Sequence, residues 1–254
     1  MSVDISSIHM RERAFPAQHP WDRNAVAALA AMVWLGIVMG FGGDMAEHVN
    51  TKQPPYLPIV HIHAAAFVGW LVLFTVQIGL IRHKRWLMHK QLGMGMAALA
   101  VAMIVLGPLA EYLVGVSRYG TSRSDPAFLA IALTAMLAFA GLLGAALALR
   151  RDASAHKRLM LLATLYISSA GFARWEGSWL GPIVGNGPGG FGLVLYFGNT
   201  LVMLLIGAYD LVTRRRLHPA YAAGMAWVLA FEALSVWLYF QPAWLAYSKS
   251  LMAP

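Results

Sequence analysis

The sequence predicts an all-α membrane protein, a bundle of seven transmembrane helices. Of its 254 residues, 59% are hydrophobic and 12% are charged, about half the charged share of a typical soluble domain. Mean hydropathy is +0.61. The apolar residues fall into seven long segments, and a helix needs about 20 such residues to cross a bilayer. These observations together favour a polytopic membrane protein.

Each segment is bounded by residues that begin or end helices. In chain order the connectors are the proline-rich 50–58, the basic 82–90, the polar 117–126, the charged 150–157, the Gly/Pro-rich 181–192 and the basic 214–219. The predicted spans are 24–46, 57–82, 90–114, 126–149, 156–180, 190–213 and 219–246. We expect residues 1–23 to form a cytoplasmic tail and residues 24–248 to form the seven-helix membrane domain.

Lys and Arg are distributed unevenly between the two predicted sides of the membrane. Fourteen lie in the N-terminal tail and in the second, fourth and sixth connectors, and five lie on the other side. The positive-inside rule therefore places the N-terminus in the cytoplasm and the C-terminus outside. This fits a multi-pass protein of the bacterial inner membrane, in contact with lipids, as a homo- or hetero-oligomer. Topology explains the net charge of +8, so nucleic acid is not needed as a partner.

Ionisable side chains gather where the first two predicted helices meet the outer membrane edge. Carboxylate oxygen and imidazole nitrogen are ligands that transition metals use. Ionisable groups in membrane-type sequence are costly, so a functional role is the first hypothesis for them. Asp44, His48 and His61 are the first candidate ligands, and the predicted helix turns His63 inward. Further candidates at this edge are His63, Glu47 and Glu111, with Arg174 and Glu176 nearby. The alternative is a polar rim of ion pairs, such as Arg174 with Glu111 or Glu176.

The spacing Asp44-x3-His48-x12-His61 resembles a copper-binding triad in the C subunit of particulate methane and ammonia monooxygenases. That resemblance covers eighteen residues and implies copper as the first metal to test, with zinc or iron as other choices. It implies a metal-binding membrane protein, with a redox enzyme or a subunit of one as the catalytic interpretation. The whole chain resembles an uncharacterised group of bacterial seven-helix proteins with His-Lys/Arg-x-Leu motifs, from which no function follows.

Two histidines occupy matching positions near the cytoplasmic ends of the third and fifth predicted helices. His89-Lys-Gln-Leu-Gly and His156-Lys-Arg-Leu-Met place His89 and His156 at similar depth. The first motif resembles helices of cytochrome b561-like and ferric-reductase-like proteins, which implies haem b held by the two imidazoles. Those families carry two His pairs, whereas the fourth, sixth and seventh segments here contain no His. The alternative assigns both histidines to the basic cytoplasmic flank.

Two polar residues lie deep in the last two predicted helices. Asn199 and Glu232 fall near the middle of their segments, where a carboxyl is costly unless it is neutral, paired or hydrated. One hypothesis is a transporter or channel whose polar path includes Glu232, Asn199 and Arg174. The other is a neutral Glu232 hydrogen-bonded to Asn199 or Ser235. The total absence of cysteine excludes disulfides, thiolate metal sites and iron–sulfur clusters.

Overall fold

A computed structural model describes residues 15–16 and 18–253, and every regular element in that part of the chain is helical. The helices are α1 (Asp22–Asn50), α2 (Pro58–Arg82), α3 (Trp86–Arg118), α4 (Leu129–Ala148), α5 (Ala153–Ile167), α6 (Ser169–Val184), α7 (Pro188–Arg214), α8 (Pro219–Tyr239) and α9 (Pro242–Met252). A 3₁₀ turn, Pro126–Phe128, leads into α4. The predicted all-α class is confirmed. Most of the predicted tail, 1–23, lies outside the described residues.

Six of the described helices are long and apolar enough to cross a membrane. They are α1, α2, α3, α4 with its 3₁₀ turn, α7 and α8. The chain is therefore a multi-pass membrane protein by the length and composition of its helices. Their bounds agree with six of the predicted segments to within a few residues, apart from the C-terminal end of the last.

The predicted single helix over 156–180 is instead two helices that meet at Ser168. The Ser168 hydroxyl donates to the Thr164 carbonyl at 2.8 Å, and its backbone N–H turns back to Leu165 in a tighter 3₁₀ bond. Side-chain bonding to the preceding turn bends helices. Ser169 and Gly171 follow within three residues, and both have a lower helix propensity than alanine or leucine.

The prediction of one helix over 219–246 is also wrong at its C-terminal end. α8 stops at Tyr239, and Gln241 is extended, with φ −77° and ψ 124°. Pro242 explains the break, because proline disfavours the helical conformation of the residue before it and has no N–H to donate. Pro242 then opens the short helix α9, where the missing donor costs nothing.

The helices alternate in direction between two rims of the bundle. We call the end with connectors 83–85, 149–152 and 215–218 the basic rim, and the end with 51–57, 119–125 and 185–187 the opposite rim. α4 is the most buried of the candidate spans and packs against α3, α5 and α8. α1 packs mainly on α6, and α6 on α7. α5 and α6 together lead from the basic rim to the opposite rim.

The inward and outward faces of α2 differ in a way that suits a membrane. Trp70 and Gln77 are buried, as the seven-residue spacing from His63 predicts. Val68, Val72 and Val76 form a largely exposed apolar face on the same helix. Polar groups therefore point into the bundle while aliphatic groups point out, the arrangement that a lipid surrounding favours.

Candidate functional site

The structure pairs Asp44 with a cation at the opposite rim. Arg174 Nε lies 3.4 Å from Asp44 Oδ2, and its guanidinium lies over the Phe41 ring at 4.5 Å. Both side chains of the ion pair are about half exposed, so solvent screens the interaction. Arg174 thus belongs to this rim, in contact with α1, and the structure does not join it to Glu232 and Asn199.

Tyr56 separates the two histidines of the predicted copper triad. The His48 ring stacks on Tyr56 with centroids 4.0 Å apart, and Tyr56 presents an edge contact to His61 at 6.3 Å. Glu47 and His61 are exposed, and Glu111 is half-buried. Among residues 15–16 and 18–253, no three His, Asp or Glu side chains lie close enough together to hold a metal ion. Copper binding by Asp44, His48 and His61 stays a prediction.

His63 faces inward, as its helical position predicts. Its ring stacks on Phe67 with centroids 4.2 Å apart. The Nδ1 atom is buried and has no hydrogen-bond partner within the described part of the chain. His63 is therefore separated from the His48–Tyr56–His61 group, although it lies on the same rim.

The structure brings His89 and His156 together at the basic rim. Their ring centroids are 6.5 Å apart, and the ring planes are nearly perpendicular at 83°. His89 lies in the first turn of α3 and His156 in the first turn of α5, and both helices pack against α4. Helices that begin at the same rim beside a shared neighbour place these imidazoles at one depth.

Both imidazoles are held through the same ring nitrogen. His156 Nδ1 lies 2.8 Å from the Ala146 carbonyl oxygen, and His89 Nδ1 lies 2.5 Å from Gln77 Oε1. The Gln77 amide is oriented by a second bond, in which its Nε2 donates to the His89 carbonyl at 3.1 Å. Carbonyl oxygens only accept hydrogen bonds, so each Nδ1 must carry the proton. In this tautomer the Nε2 atom of each ring carries a lone pair.

This arrangement suits metal ligation. A ligating histidine normally donates its other ring N–H to a carbonyl or carboxylate, which fixes the tautomer and the ring orientation. Both rings already have such a partner in this structure. Gln77, which lies on the inward face of α2, is the side chain that orients His89. The three-residue connector between α2 and α3 was the available signal, because it puts Gln77 and His89 within about one helical turn of the same depth.

An ion network encloses the basic rim beside this pair. Arg158 donates two hydrogen bonds to the Asp210 carboxylate, and both side chains are almost fully buried. Asp22 accepts from Arg214 at 2.8 Å and from Lys157 at 2.9 Å, which joins α1 to α5 and α7. Burial, and secondarily the Arg158 guanidinium, lowers the pKa of His218 in the last connector. The network holds the N-terminal end of α5, where His156 lies, against α1 and α7.

The deep polar residues form a separate group. Thr200 donates to Glu232 Oε1 at 2.8 Å, whereas Asn199 does not pair with Glu232.

Comparisons with protein-family models, curated proteins and solved structures find no match to this chain. The functional argument therefore rests on the geometry of the side chains.

Proposed function

We propose that this protein is a b-type haem membrane protein in which His89 and His156 would hold the iron. The observation that carries the proposal is the paired ring geometry, with both Nδ1 atoms bonded to oxygen and both Nε2 lone pairs available. Two imidazoles with free Nε2 atoms would be suitable ligands for a haem iron.

The separation of the rings is compatible with one metal centre between them. A metal–nitrogen bond is about 2 Å long and a ring centroid lies about 1 Å behind its nitrogen, so two imidazoles that would share one metal ion have centroids at most roughly 6 Å apart. The observed 6.5 Å is close to that value. α3 and α5 both pack against α4, and this shared neighbour brings the two imidazoles close together at the basic rim.

A haem held by both histidines would carry electrons and would offer a substrate no open coordination site. The residues of this chain would orient the ligands and shield them from water. Gln77 and the Ala146 carbonyl hold the ligand tautomers, and the ion network around Asp22 closes the basic rim. We therefore infer a role in electron transfer at the face of the membrane that carries the basic rim.

The topology that accompanies this function has seven crossings. The six long helices account for six, and α5 and α6, which together run between the rims, supply the broken seventh. The excess of Lys and Arg at the basic rim supports a cytoplasmic location for it in the bacterial inner membrane.

The test is the visible spectrum of protein purified from cells supplied with haem precursor. We expect a Soret band that is lost in His89→Ala and in His156→Ala. His83→Ala is the matched control, because His83 is an exposed histidine at the same rim, and that variant should keep the band. A full Soret band in the His89→Ala/His156→Ala double variant would overturn the proposal.

Metal analysis of the same preparations separates haem from copper. Iron in proportion to the Soret absorbance supports the His89–His156 site. Copper without haem, retained in His89→Ala and lost in His48→Ala, would reject it in favour of the opposite rim.

A further inference from the structure

A group of polar side chains lies inside the bundle between α5, α7 and α8, away from the His89–His156 pair. Tyr166 is fully buried at the end of α5, and its ring stacks on Tyr196 of α7 with centroids 6.3 Å apart. Tyr196 shares a 2.7 Å hydrogen bond with Ser235 of α8. Glu232 lies one turn before Ser235 and accepts from Thr200 at 2.8 Å.

Three polar atoms of this group make no well-formed hydrogen bond to the described residues, although one of them also interacts with the Tyr196 side chain. They are the Tyr166 hydroxyl and both amide atoms of Asn199, Nδ2 and Oδ1. Asn199 is 0% exposed and lies one turn from Tyr196 on the same face of α7. A buried amide without any hydrogen bond is strongly disfavoured, and such groups are explained by a bound water or ligand in most structures.

The chemistry of these atoms restricts what they bind. Asn199 Nδ2 can only donate, Oδ1 can only accept, and the Tyr166 hydroxyl can do either. A metal cation satisfies oxygen atoms but not an N–H group, and an anion satisfies only the donors. The partner must therefore donate and accept, and water is the smallest molecule that does so.

The backbone beside the group is irregular as well. Tyr166 comes two residues before the break at Ser168, inside a segment that runs between the two rims. Broken helices at membrane depth occur where the backbone is buried in protein or borders a polar cavity, and they often form binding sites.

We propose that Asn199 and Tyr166 hold ordered water in an internal site between α5, α7 and α8, with Glu232 as its neighbouring ionisable group. This site is independent of the proposed haem. The water in this site would be a second hydrogen-bond partner for Glu232 inside the bundle, besides Thr200.

Hydroxyl-radical footprinting by X-ray radiolysis tests the proposal directly, because radicals formed from bound water oxidise the side chains that touch it. Tyr221 is the matched control, since it is also buried but its hydroxyl donates to the Met203 carbonyl. We expect oxidation of Tyr166 in the intact protein and little at Tyr221. Equal protection of the two tyrosines would overturn the proposal.

Asn199→Leu provides a second test, because its effect on thermal stability should have opposite signs for a hydrated and a dry site. If Asn199 holds water, the leucine displaces it, so oxidation of Tyr166 falls and the thermal midpoint of unfolding drops. If the amide is buried dry, an apolar side chain of similar volume removes an unsatisfied group and raises the midpoint, which contradicts the proposal. Asn186→Leu, at an exposed position, should change neither measurement.

Discussion

At the scale of single residues, Gln77 shows how one side chain controls a possible ligand. Its amide oxygen accepts from His89 Nδ1 and its amide nitrogen donates to the His89 carbonyl. The two bonds fix the orientation of the Gln77 amide, and that orientation fixes the tautomer of the His89 ring. In the proposed haem site, Gln77 would act as a positioning residue for His89 without contacting the iron.

We expect Gln77→Leu to weaken haem binding while the fold persists. Loss of such an outer partner typically lowers metal affinity about 10- to 100-fold. Haem titration of the apoprotein, followed by the Soret absorbance, measures the change. Gln53→Leu, in the connector at the opposite rim, is the control and should bind as the parent does. Equal affinity in the two variants would show that Gln77 has no positioning role.

At the scale of helices, the contact between α1 and α6 depends on two glycines. A Cβ atom at Gly40 would lie 2.0 Å from the Gly171 carbonyl oxygen, so the backbones touch without a side chain between them. Such close approach is typical of helix contacts in membranes. The break at Ser168 lies three residues from Gly171, and it directs α6 along α1.

Gly40→Ala should therefore separate the two helices and destabilise the protein by about 1–3 kcal/mol, the usual cost of overpacking. Gly42→Ala is the matched control on the same helix, because nothing lies within 4 Å of its added Cβ. That change should be neutral or stabilising by up to about 1 kcal/mol through helix propensity. Thermal unfolding in detergent measures both, and a Gly40→Ala variant as stable as Gly42→Ala would refute the contact.

The buried pair of Arg158 and Asp210 joins α5 to α7 and yields another prediction. Removing one partner leaves an uncompensated buried charge, so Asp210→Ala should cost about 3–5 kcal/mol. The double variant Arg158→Met/Asp210→Leu removes both charges and should recover much of that loss. Thermal unfolding of the single and double variants gives the comparison. A double variant no more stable than Asp210→Ala would show that desolvated charge is not the cause.

At the scale of the whole molecule, the basic rim and the opposite rim face different solutions if the seven-crossing topology is correct. The chain contains no cysteine, so single introduced cysteines report their side without background. Thr51→Cys at the opposite rim should react with a membrane-impermeant thiol reagent in intact cells. Arg151→Cys at the basic rim should react only after permeabilisation. The reverse labelling pattern would show that the protein has the opposite orientation in the membrane.

Helix existence could be predicted far better than helix continuity. The bounds of α2, 58–82, differ from the predicted 57–82 by one residue because prolines and basic residues mark both ends. The break at Ser168 could not be predicted from the sequence. A serine in an apolar segment can bond to the preceding turn of its own helix or to a neighbouring helix, and the sequence is identical in both cases. The stop at Tyr239 was readable in principle from Pro242.

The candidate site divides in the same way. The matching depth of His89 and His156 followed from their positions at the starts of two helices, and the structure brings the rings together. The depth of Asp44, His48 and His61 was equally readable, yet Arg174 contacts the first and Tyr56 lies between the other two. Equal depth is a local property of each helix, whereas contact also requires the helices to turn the right faces toward each other.

By itself, the sequence determined that this protein is helical, apolar enough for a membrane, and basic at alternate connectors. Those properties depend on residues close together in the chain, and they hold whatever the packing is. Only the tertiary structure decided that Gln77 holds His89, that Asp210 is buried against Arg158, and that the Asn199 amide has no hydrogen-bond partner among the described residues. Each depends on how helices distant in sequence are rotated and spaced, which the close packing of side chains across the whole bundle sets.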